Sequence, residues 1–367
     1  MTTNNSDVKS VKAWKVTGPN EINLMDHVIP EAVPAGKLRI KPMFVGSCGS
    51  DLDLIRHGGK HSSHKGETKP IIAGHELCGK VIGLGAGVAN FEVGDIVVVE
   101  PAMPCEHCHD CESGHYNTCK TTGYWATPPV DGCFVQELDV LPKWVFKVPA
   151  NLDPMVASLT EPLGACLEAI YGESTTHPQV EVDNWILILG GGNIAMGILY
   201  GLTSLFGASK VILAARKQSD LDFATSLGCK HVVKIGNKEE TKVALEEVRT
   251  LSGGGVKTVI ECTGVNDLLT AVIKERILRG YGKIIGVGCH SSVEIDIALL
   301  RRSAASFVTV RRSLHKFPKT LQLLSDHAEV ARSLIGRVGS FNELDQVLLH
   351  NGGKVVGNGP KTVIEFD

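Results

Sequence analysis

The chain has 367 residues, 43% hydrophobic and 21% charged, a balance typical of a globular protein with room for two domains. Its formal net charge of −3 disfavours nucleic acid or a membrane surface as a partner, because both favour basic patches. No apolar run reaches the roughly 18 residues of a membrane span, and the polar N-terminus does not resemble a secretory signal. We therefore expect a cytoplasmic protein whose eleven cysteines are reduced, so that those clustered in the sequence bind metal instead of forming disulfides and the others are small core residues.

Short strand-like runs and many glycines predict a mainly β domain over residues 1–156, with the runs LRIKPMFVG, KVIGLG, DIVVVEP and FVQELDV. Over residues 157–302, the apolar runs WILILG, KVILAA, VIEC and KIIGVG alternate with helical stretches, which predicts a parallel sheet. The pattern is mixed again over residues 303–367, and we expect this segment to return to the first domain. The predicted fold class is α/β, with a doubly wound Rossmann sheet inserted in a mainly β domain.

Three dispersed segments carry residue types that bind zinc. Cys48 lies in GSCGSD, His75 and Glu76 lie in AGHELCG, and Glu161 lies in LTEPLGA. Each group lies beside glycine or proline, at turns where side chains from distant segments can converge. Thiolate, imidazole and carboxylate are the ligands of a catalytic zinc, which keeps one position open. Cys166, close to Glu161 in the sequence, is a minor rival ligand.

A second cysteine group is local. The spacing C-x2-C-x2-C-x7-C predicts a lobe over about residues 100–120 in which four thiolates close a tetrahedral shell around a structural zinc, with the ligands Cys105, Cys108, Cys111 and Cys119. An iron–sulfur cluster is a weaker alternative, because this spacing differs from both ferredoxin patterns. The four cysteines therefore predict a zinc that stabilises the lobe, and by themselves they do not indicate a catalytic activity.

The segment WILILGGGNIAMG predicts a dinucleotide site, because a glycine-rich turn joins a buried strand to a helix. Gly190, Gly192 and Ala195 supply the G-x-G-x-x-G/A pattern, and Asn193 and Ile194 begin the helix whose N-terminus would face the pyrophosphate.

The strand KVILAA ends about twenty residues after this turn, where an NAD-binding protein carries Asp or Glu for the ribose. This chain has Ala215, Arg216 and Lys217 there, and two cations favour a 2′-phosphate, so we predict NADP(H) over NAD(H). Later strands end at Thr263 and at Val287 and Gly288, which we also expect near the cofactor.

Together the motifs resemble the zinc-containing medium-chain alcohol dehydrogenases, especially the sorbitol (polyol) dehydrogenase branch, over nearly the whole chain. The segments that carry the resemblance are VGSCGSD, PIIAGHE, GVANFEVGD, the four-cysteine lobe, YWATPPVDG, LTEPLGACLEA, ILGGGNIAMG and ECTG. The resemblance implies a GroES-like catalytic domain, one catalytic and one structural zinc per chain, and a homodimer or homotetramer.

The resemblance also assigns residue roles. Cys48 and His75 would bind the catalytic zinc, Glu76 would be its third ligand and Glu161 would contact its water, although exchange between the two glutamates stays open. Ser50 would relay the substrate proton, and Arg312 would contact substrate hydroxyls.

Some positions depart from the sorbitol dehydrogenase pattern. Asp53 and Leu54 stand where that branch carries His and Tyr, and Ser313 stands where it carries Tyr, so the sequence does not identify sorbitol as the substrate. Three further histidines, in RHGGKHSSHKGE, are candidates for the pocket entrance: His57, His61 and His64.

The sequence thus predicts a hydride transfer between NADP(H) and a secondary alcohol or polyol, with a ketone or ketose in the reverse direction. A diol, a sugar or a bulkier secondary alcohol is the alternative substrate. A non-catalytic NADPH-binding protein would not need an open metal site, and a zinc protein that binds nucleic acid is disfavoured by the acidic charge.

Overall fold

The structure is a computed structural model that describes residues 7–59, 70–288 and 293–366. The chain forms two compact units. Unit 1 falls within Met1–Glu161, Leu324–Ala328 and Ile335–Asp367, and unit 2 falls within Pro162–Leu323 and Glu329–Leu334. The predicted domain boundaries at residues 156 and 302 stay a prediction.

Unit 1 is mainly β. Its largest sheet in the described residues has eight strands in the order β10-β6-β5-β3-β19-β17-β18, with β9 paired to β3. A second sheet has the order β2-β1-β4, and β7 pairs with β8. The strands are β1 Val8–Gly18, β2 Glu21–Pro30, β3 Leu38–Gly46, β4 Ile71–Ile72, β5 Glu76–Leu84, β6 Ile96–Val99, β7 Ala102–Met103, β8 Gly123–Tyr124, β9 Leu138–Val140, β10 Val145–Lys147, β17 Ile335–Ser340, β18 Lys354–Val355 and β19 Lys361–Glu365.

The helices of unit 1 are short. They are α1 Gly49–Arg56, α2 His109–Glu112, α3 Pro154–Ala157 and α12 Leu344–His350. One apolar core runs under both sheets and includes Trp14, Ile40, Val45 and Ile364. The C-terminal strand β19 pairs antiparallel with β3, so the end of the chain returns to the sheet that its beginning formed.

Unit 2 contains a six-stranded, all-parallel sheet within the described residues, in the order β13-β12-β11-β14-β15-β16. The strands are β11 Ile186–Leu189, β12 Val211–Ala215, β13 His231–Lys234, β14 Val256–Glu261, β15 Leu278–Gly286 and β16 Ser306–Thr309. This is the order of a doubly wound dinucleotide fold: successive strands add to one side of β11 up to β13 and to its other side from β14 onward, while all strands stay parallel. All four residues of β11 are buried, as expected for a central parallel strand.

Local signals fix the helix ends in unit 2. The helices are α4 Thr160–Tyr171, α5 Asn193–Phe206, α6 Gln218–Ser226, α7 Lys238–Leu251, α8 Asn266–Lys274, α9 Ile297–Arg302, α10 Phe317–Asp326 and α11 Ala328–Ser333, of which α4, α10 and α11 cross the unit boundary. Asn237 and Glu240 form a capping box at the start of α7. Gly207 ends α5 in the left-handed conformation.

The predicted fold class is confirmed: along the chain, the segment that forms a parallel α/β sheet of the Rossmann type is inserted between two segments of a mainly β domain. The apolar runs WILILG and KVILAA contain β11 and β12, and the runs VIEC and KIIGVG overlap the ends of β14 and β15. In the part of the chain that the structure describes, no helix combines the length and the apolar character needed to cross a bilayer.

Candidate functional site

Cys48 is positioned by the turn that joins β3 to α1, where it is the N-cap residue of the helix. Its backbone N–H donates to Asp51 Oδ2 at 2.9 Å, which completes a capping box with an acidic residue three positions later. The Cys48 thiol is half-buried and free. A carboxylate in the first turn of α1 therefore holds the backbone of Cys48 and so positions its thiol.

His75 is positioned by the same carboxylate. Asp51 Oδ1 accepts the Gly74 N–H at 2.9 Å and lies 3.4 Å from His75 Nδ1. Burial lowers the pKa of His75, but the Asp51 charge more than offsets this and holds the pKa well above its usual value. Gly74 has φ +88°, and a Cβ there would meet the Phe134 ring, so the turn before His75 requires glycine.

Glu76 is the first residue of β5 and is 1% exposed. It forms a buried ion pair with Lys361, the first residue of β19, whose ammonium also donates to the Ser47 carbonyl at 2.8 Å. Both strands flank β3, and a Cβ at Gly46 would collide with this pair. Burial raises the pKa of Glu76 to about 7, with a further contribution from Glu161 and opposition from Lys361.

One ligand atom each of Cys48, His75 and Glu76 lies within 4.8 Å of the others. This set offers a thiol, an imidazole and a carboxylate, the donors that zinc takes in sites with an open position. Glu76 Oε1 is buried without a hydrogen-bond partner, as expected of an atom that awaits a ligand. The residues present thus fit a zinc ion, and we call them the open group.

Glu161 lies in the first turn of α4, within unit 1 and outside the set of three. Its Oε1 accepts the Tyr124 hydroxyl at 2.5 Å. Ser50 is half-buried in the first turn of α1, two residues after Cys48. The buried thiol of Cys166 donates to the Ile194 carbonyl at 3.4 Å within unit 2.

The four cysteines of the local spacing come together around α2. Their sulfurs are 3.5 Å apart for Cys108 and Cys111, 3.6 Å for Cys105 and Cys119, and 3.9 Å for Cys105 and Cys111. A tetrahedron of sulfurs about 2.3 Å from a zinc ion has edges of about 3.8 Å. The lobe thus fits a closed metal site, which we call the four-thiol group.

The remaining described cysteines lie outside both groups. They are Cys78, Cys133, Cys166 and Cys229, which are buried, and Cys262, which is half-buried. Their burial accords with small core residues. Cys289 lies outside the described residues.

The glycine-rich turn joins β11 to α5. Gly190 has φ +121° and faces the Thr263 side chain, and Gly192 is the N-cap of α5, with open space where a Cβ would be. Asn193 Oδ1 is buried without a hydrogen-bond partner at the start of this helix. Open backbone beside a helix N-terminus fits a pyrophosphate. Ile194 and Ala195 follow in the first turn, and Ala195 is fully buried.

The strand ends beside this turn carry the other predicted cofactor residues. Ala215 ends β12, and the exposed Arg216 and Lys217 follow directly. Asp220 in α6 lies so close to Gly191 that a Cβ on this glycine would overlap it. Beyond β14 and β15 lie Thr263, Val287 and Gly288. All of these positions belong to unit 2.

The residues predicted to contact substrate have varied surroundings. Arg312 lies in unit 2 with φ +55°, and the neighbouring Ser313 is buried against Gly164. Leu54 is fully buried in the core of unit 1, whereas Asp53 contacts His57 at 3.2 Å on the surface. His61 and His64 lie outside the described residues.

Sequence reasoning missed three residues of this site. Asp51 has a signal in the sequence, since an acidic residue three positions after an N-cap is typical of a capping box. Lys361 has none, because its partner Glu76 lies on a distant strand. Tyr124 stands in the YWATPPVDG segment, where an aromatic residue is typical of a core.

Two family models match the chain. Residues 34–150 match the alcohol dehydrogenase GroES-like domain, and residues 197–326 match the zinc-binding dehydrogenase family. The first match contains His75, Glu76 and the four-thiol group, and the second contains most of the parallel sheet.

Individual relatives match over most of their length. The chain is 30% identical over 362 residues to a probable D-xylulose reductase A of Neosartorya fischeri, and the match covers 96% of each chain. It is 29% identical over 321 residues to the sorbitol dehydrogenase of Bos taurus, which covers 87% of each. Among solved structures, a putative zinc-binding dehydrogenase of Sinorhizobium meliloti bound to NADP is 25% identical with a TM-score of 0.83, and the match covers 97% of this chain and 99% of that one.

Proposed function

This chain belongs to the zinc-containing medium-chain alcohol dehydrogenase family, in its sorbitol (polyol) dehydrogenase branch, and from that premise we propose its substrate class and cofactor. It is an enzyme of the alcohol and polyol dehydrogenase class. The proposed reaction oxidises a secondary alcohol or polyol to a ketone or ketose with NADP+, and runs in reverse with NADPH. Unit 1 is proposed as the catalytic domain and unit 2 as the cofactor domain.

One observation carries this proposal: a thiol, an imidazole and a carboxylate from separate segments gather within 4.8 Å in the open group. Zinc bound there supplies a Lewis acid that lowers the pKa of an alcohol. A second zinc in the four-thiol group would hold the lobe together. The proposal predicts two zinc ions per chain, and metal analysis of the purified protein tests it.

The chain's own residues divide the remaining work. Cys48, His75 and Glu76 are proposed ligands, and Asp51 fixes the orientation of the His75 ring. The proposed role of Ser50 is to accept the proton that leaves the substrate hydroxyl. The glycine-rich turn and the start of α5 would hold the dinucleotide, whose nicotinamide would supply the hydride acceptor for the carbinol carbon. Arg312 is proposed to bind a further substrate hydroxyl, and Glu161 is proposed to contact a water beside the ligands.

Two exposed cations after β12 support the preference for NADP(H). Arg216 and Lys217 stand where a ribose 2′-phosphate would approach, and no carboxylate ends the strand. Replacement of Arg216 by Ala should lower kcat/KM with NADP+ by about ten- to a hundredfold and change the NAD+ value little. The control Lys230→Ala removes an exposed cation elsewhere in unit 2. Equal or better efficiency of the unaltered enzyme with NAD+ would refute the preference.

Asp220 opposes these two cations. Its carboxylate lies against Gly191 in the glycine-rich turn, and a negative charge there repels a 2′-phosphate. The variant Asp220→Asn should therefore raise kcat/KM with NADP+ several-fold. A fall with NADP+ would show that the carboxylate helps to bind the ribose.

We propose a polyol as the substrate, with a diol, a sugar or a bulkier secondary alcohol as the alternative. Ser313 in place of a tyrosine, beside Arg312, favours the alternative because it leaves a smaller side chain there. A panel of polyols and diols with NADP+ distinguishes the two. A protein that binds NADPH, holds one zinc and oxidises no member of the panel would be non-catalytic.

We propose that the enzyme's partner is a small-molecule alcohol or polyol substrate. We also propose a cytoplasmic location, because both thiol-containing groups require reduced cysteines. A homodimer or homotetramer is proposed from the family alone, and sedimentation of the purified protein tests it.

A further inference from the structure

A phenol and a carboxylate meet beside the open group. The Tyr124 hydroxyl donates to Glu161 Oε1 at 2.5 Å, a length typical of a charge-assisted bond. Tyr124 ends β8 and is only 8% exposed, and its ring centroid lies 5.8 Å from that of His75. The contact is thus held in place by packing, next to a proposed zinc ligand.

This contact matters because the chain brings two glutamates to one metal group. Glu76 belongs to the set of three and Glu161 does not, although the Tyr124 side chain that contacts Glu161 also lies beside the His75 ring. A catalytic zinc has three protein ligands and one open position, so a second carboxylate on the metal would close the site. A site with one open position therefore requires a contact that keeps the Glu161 carboxylate near the open group without letting it coordinate the zinc.

We propose that Tyr124 is the positioning residue that does this. Its hydroxyl engages one oxygen of Glu161, and the other oxygen stays available as an acceptor for a hydroxyl of a polyol substrate or a water. The inference rests on the proposed function and deepens it, since it separates the roles of the two glutamates. Glu76 is the ligand, and Glu161 is the substrate-facing acceptor.

A double-mutant cycle tests whether Tyr124 acts through Glu161. Tyr124→Phe keeps the ring and removes only the hydroxyl, so kcat for the best polyol should fall about tenfold while KM for NADP+ stays constant. In a Glu161→Ala background the same change should lower kcat no further. Additive effects, or an unchanged kcat in the single variant, would overturn the proposal.

Zinc affinity provides a readout independent of turnover. When open-site zinc is titrated into protein that retains only the structural zinc, Tyr124→Phe should bind it as tightly as the unaltered protein or more tightly, because the freed Glu161 can join the ligands. A tenfold or greater weakening would instead make Glu161 a ligand oriented by Tyr124, and the proposal would be wrong.

A matched control separates this effect from the general cost of a lost phenol. Tyr116, also buried, donates its hydroxyl to Glu100 Oε1 at 2.7 Å. Tyr116→Phe should leave kcat and open-site zinc affinity unchanged. If the unaltered protein binds the second zinc but oxidises no alcohol, the proposed function fails while the zinc titration still tests Tyr124.

Discussion

The open group and the four-thiol group differ in how the chain assembles them. The four-thiol group takes its donors from one segment of fifteen residues, in which Cys105 and Cys119 are the outermost members. The open group takes Cys48 from the turn between β3 and α1 and takes His75 and Glu76 from the start of β5. Local spacing is enough for the first, whereas the second exists only once the sheet has formed.

The surroundings of the donors differ as well. The four-thiol group consists of thiols alone, with three pairs of sulfurs in direct contact. The open group carries supporting charges: Asp51 lies behind His75, Lys361 pairs with Glu76, and Tyr124 holds Glu161. The four-thiol group is supported by neutral contacts, such as the Cys105 N–H to Cys119 Sγ at 3.5 Å, whereas charged neighbours orient the ligands of the open group.

The largest expected effect separates chemistry from folding. Cys48→Ala should lower kcat/KM by at least about 10⁴-fold, because it removes a ligand of the ion that polarises the substrate. The thermal transition should change little, and one zinc per chain should remain. Cys229→Ala, which removes a buried thiol in unit 2, serves as the control. Turnover retained without the second zinc would disprove the assigned chemistry.

The same kind of change in the four-thiol group should act on stability first. Cys105→Ser should release the structural zinc and lower the free energy of unfolding by about 4 kcal/mol or more. Denaturant titration together with zinc analysis measures both losses. The folded fraction should keep its kcat, since the lobe supplies no chemical group. A selective fall in kcat at full stability would contradict the structural role.

Asp51 should show an intermediate effect. Asp51→Asn replaces one acceptor oxygen by a donor, so the carboxamide cannot serve both the Cys48 and Gly74 N–H groups and His75 as well. We expect open-site zinc affinity or kcat/KM to fall about ten- to a hundredfold.

Asp131→Asn is the matched control for Asp51. Its carboxylate accepts the Ile72 N–H at 2.9 Å, two residues before Gly74, and the histidine on which its charge acts is His27, which is not a proposed zinc ligand. Equal losses in the two variants would mean that Asp51 supports only the backbone.

The contrast between the two groups also explains what the sequence could predict. Contiguous spacing identified the four-thiol group, and periodic apolar runs identified β11, β12, β14 and β15. The open group was predicted only because residue types and turns agreed with a family pattern. Asp51 was within reach of sequence reasoning, since it completes a capping box with Cys48.

Lys361 and Tyr124 were out of reach for a physical reason. Lys361 meets Glu76 because β19 and β5 both flank β3, a strand order that no local signal encodes. Tyr124 meets Glu161 because the two-residue strand β8 and the start of α4 come together in the fold. In the sequence, the aromatic ring of Tyr124 indicates only a core residue, and nothing predicts the partner of its hydroxyl. Pairings set by tertiary structure require the fold itself.

Asp95 contacts neither the open group nor the four-thiol group among the described residues, so its replacement should have the smallest effect on the protein. Asp95 Oδ2 accepts the Glu92 N–H at 2.8 Å and pairs with Lys147 at 2.9 Å on the surface of unit 1. The hydrogen bond from Lys147 lowers the pKa of Asp95 below its usual value of 3.8. Asp95→Asn should lower the free energy of unfolding at pH 7 by only about 0.2–1 kcal/mol.

The pH dependence of this small term has a definite sign. Because the pKa of Asp95 is depressed in the folded state, its contribution is fully present above pH 3.8 and is lost as the pH falls through the folded pKa. Denaturant titrations at pH 7 and pH 3 should therefore show the difference between the unaltered protein and Asp95→Asn shrinking at the lower pH. A difference that grows on acidification would mean that Asp95 acts through the Glu92 turn and not through its charge.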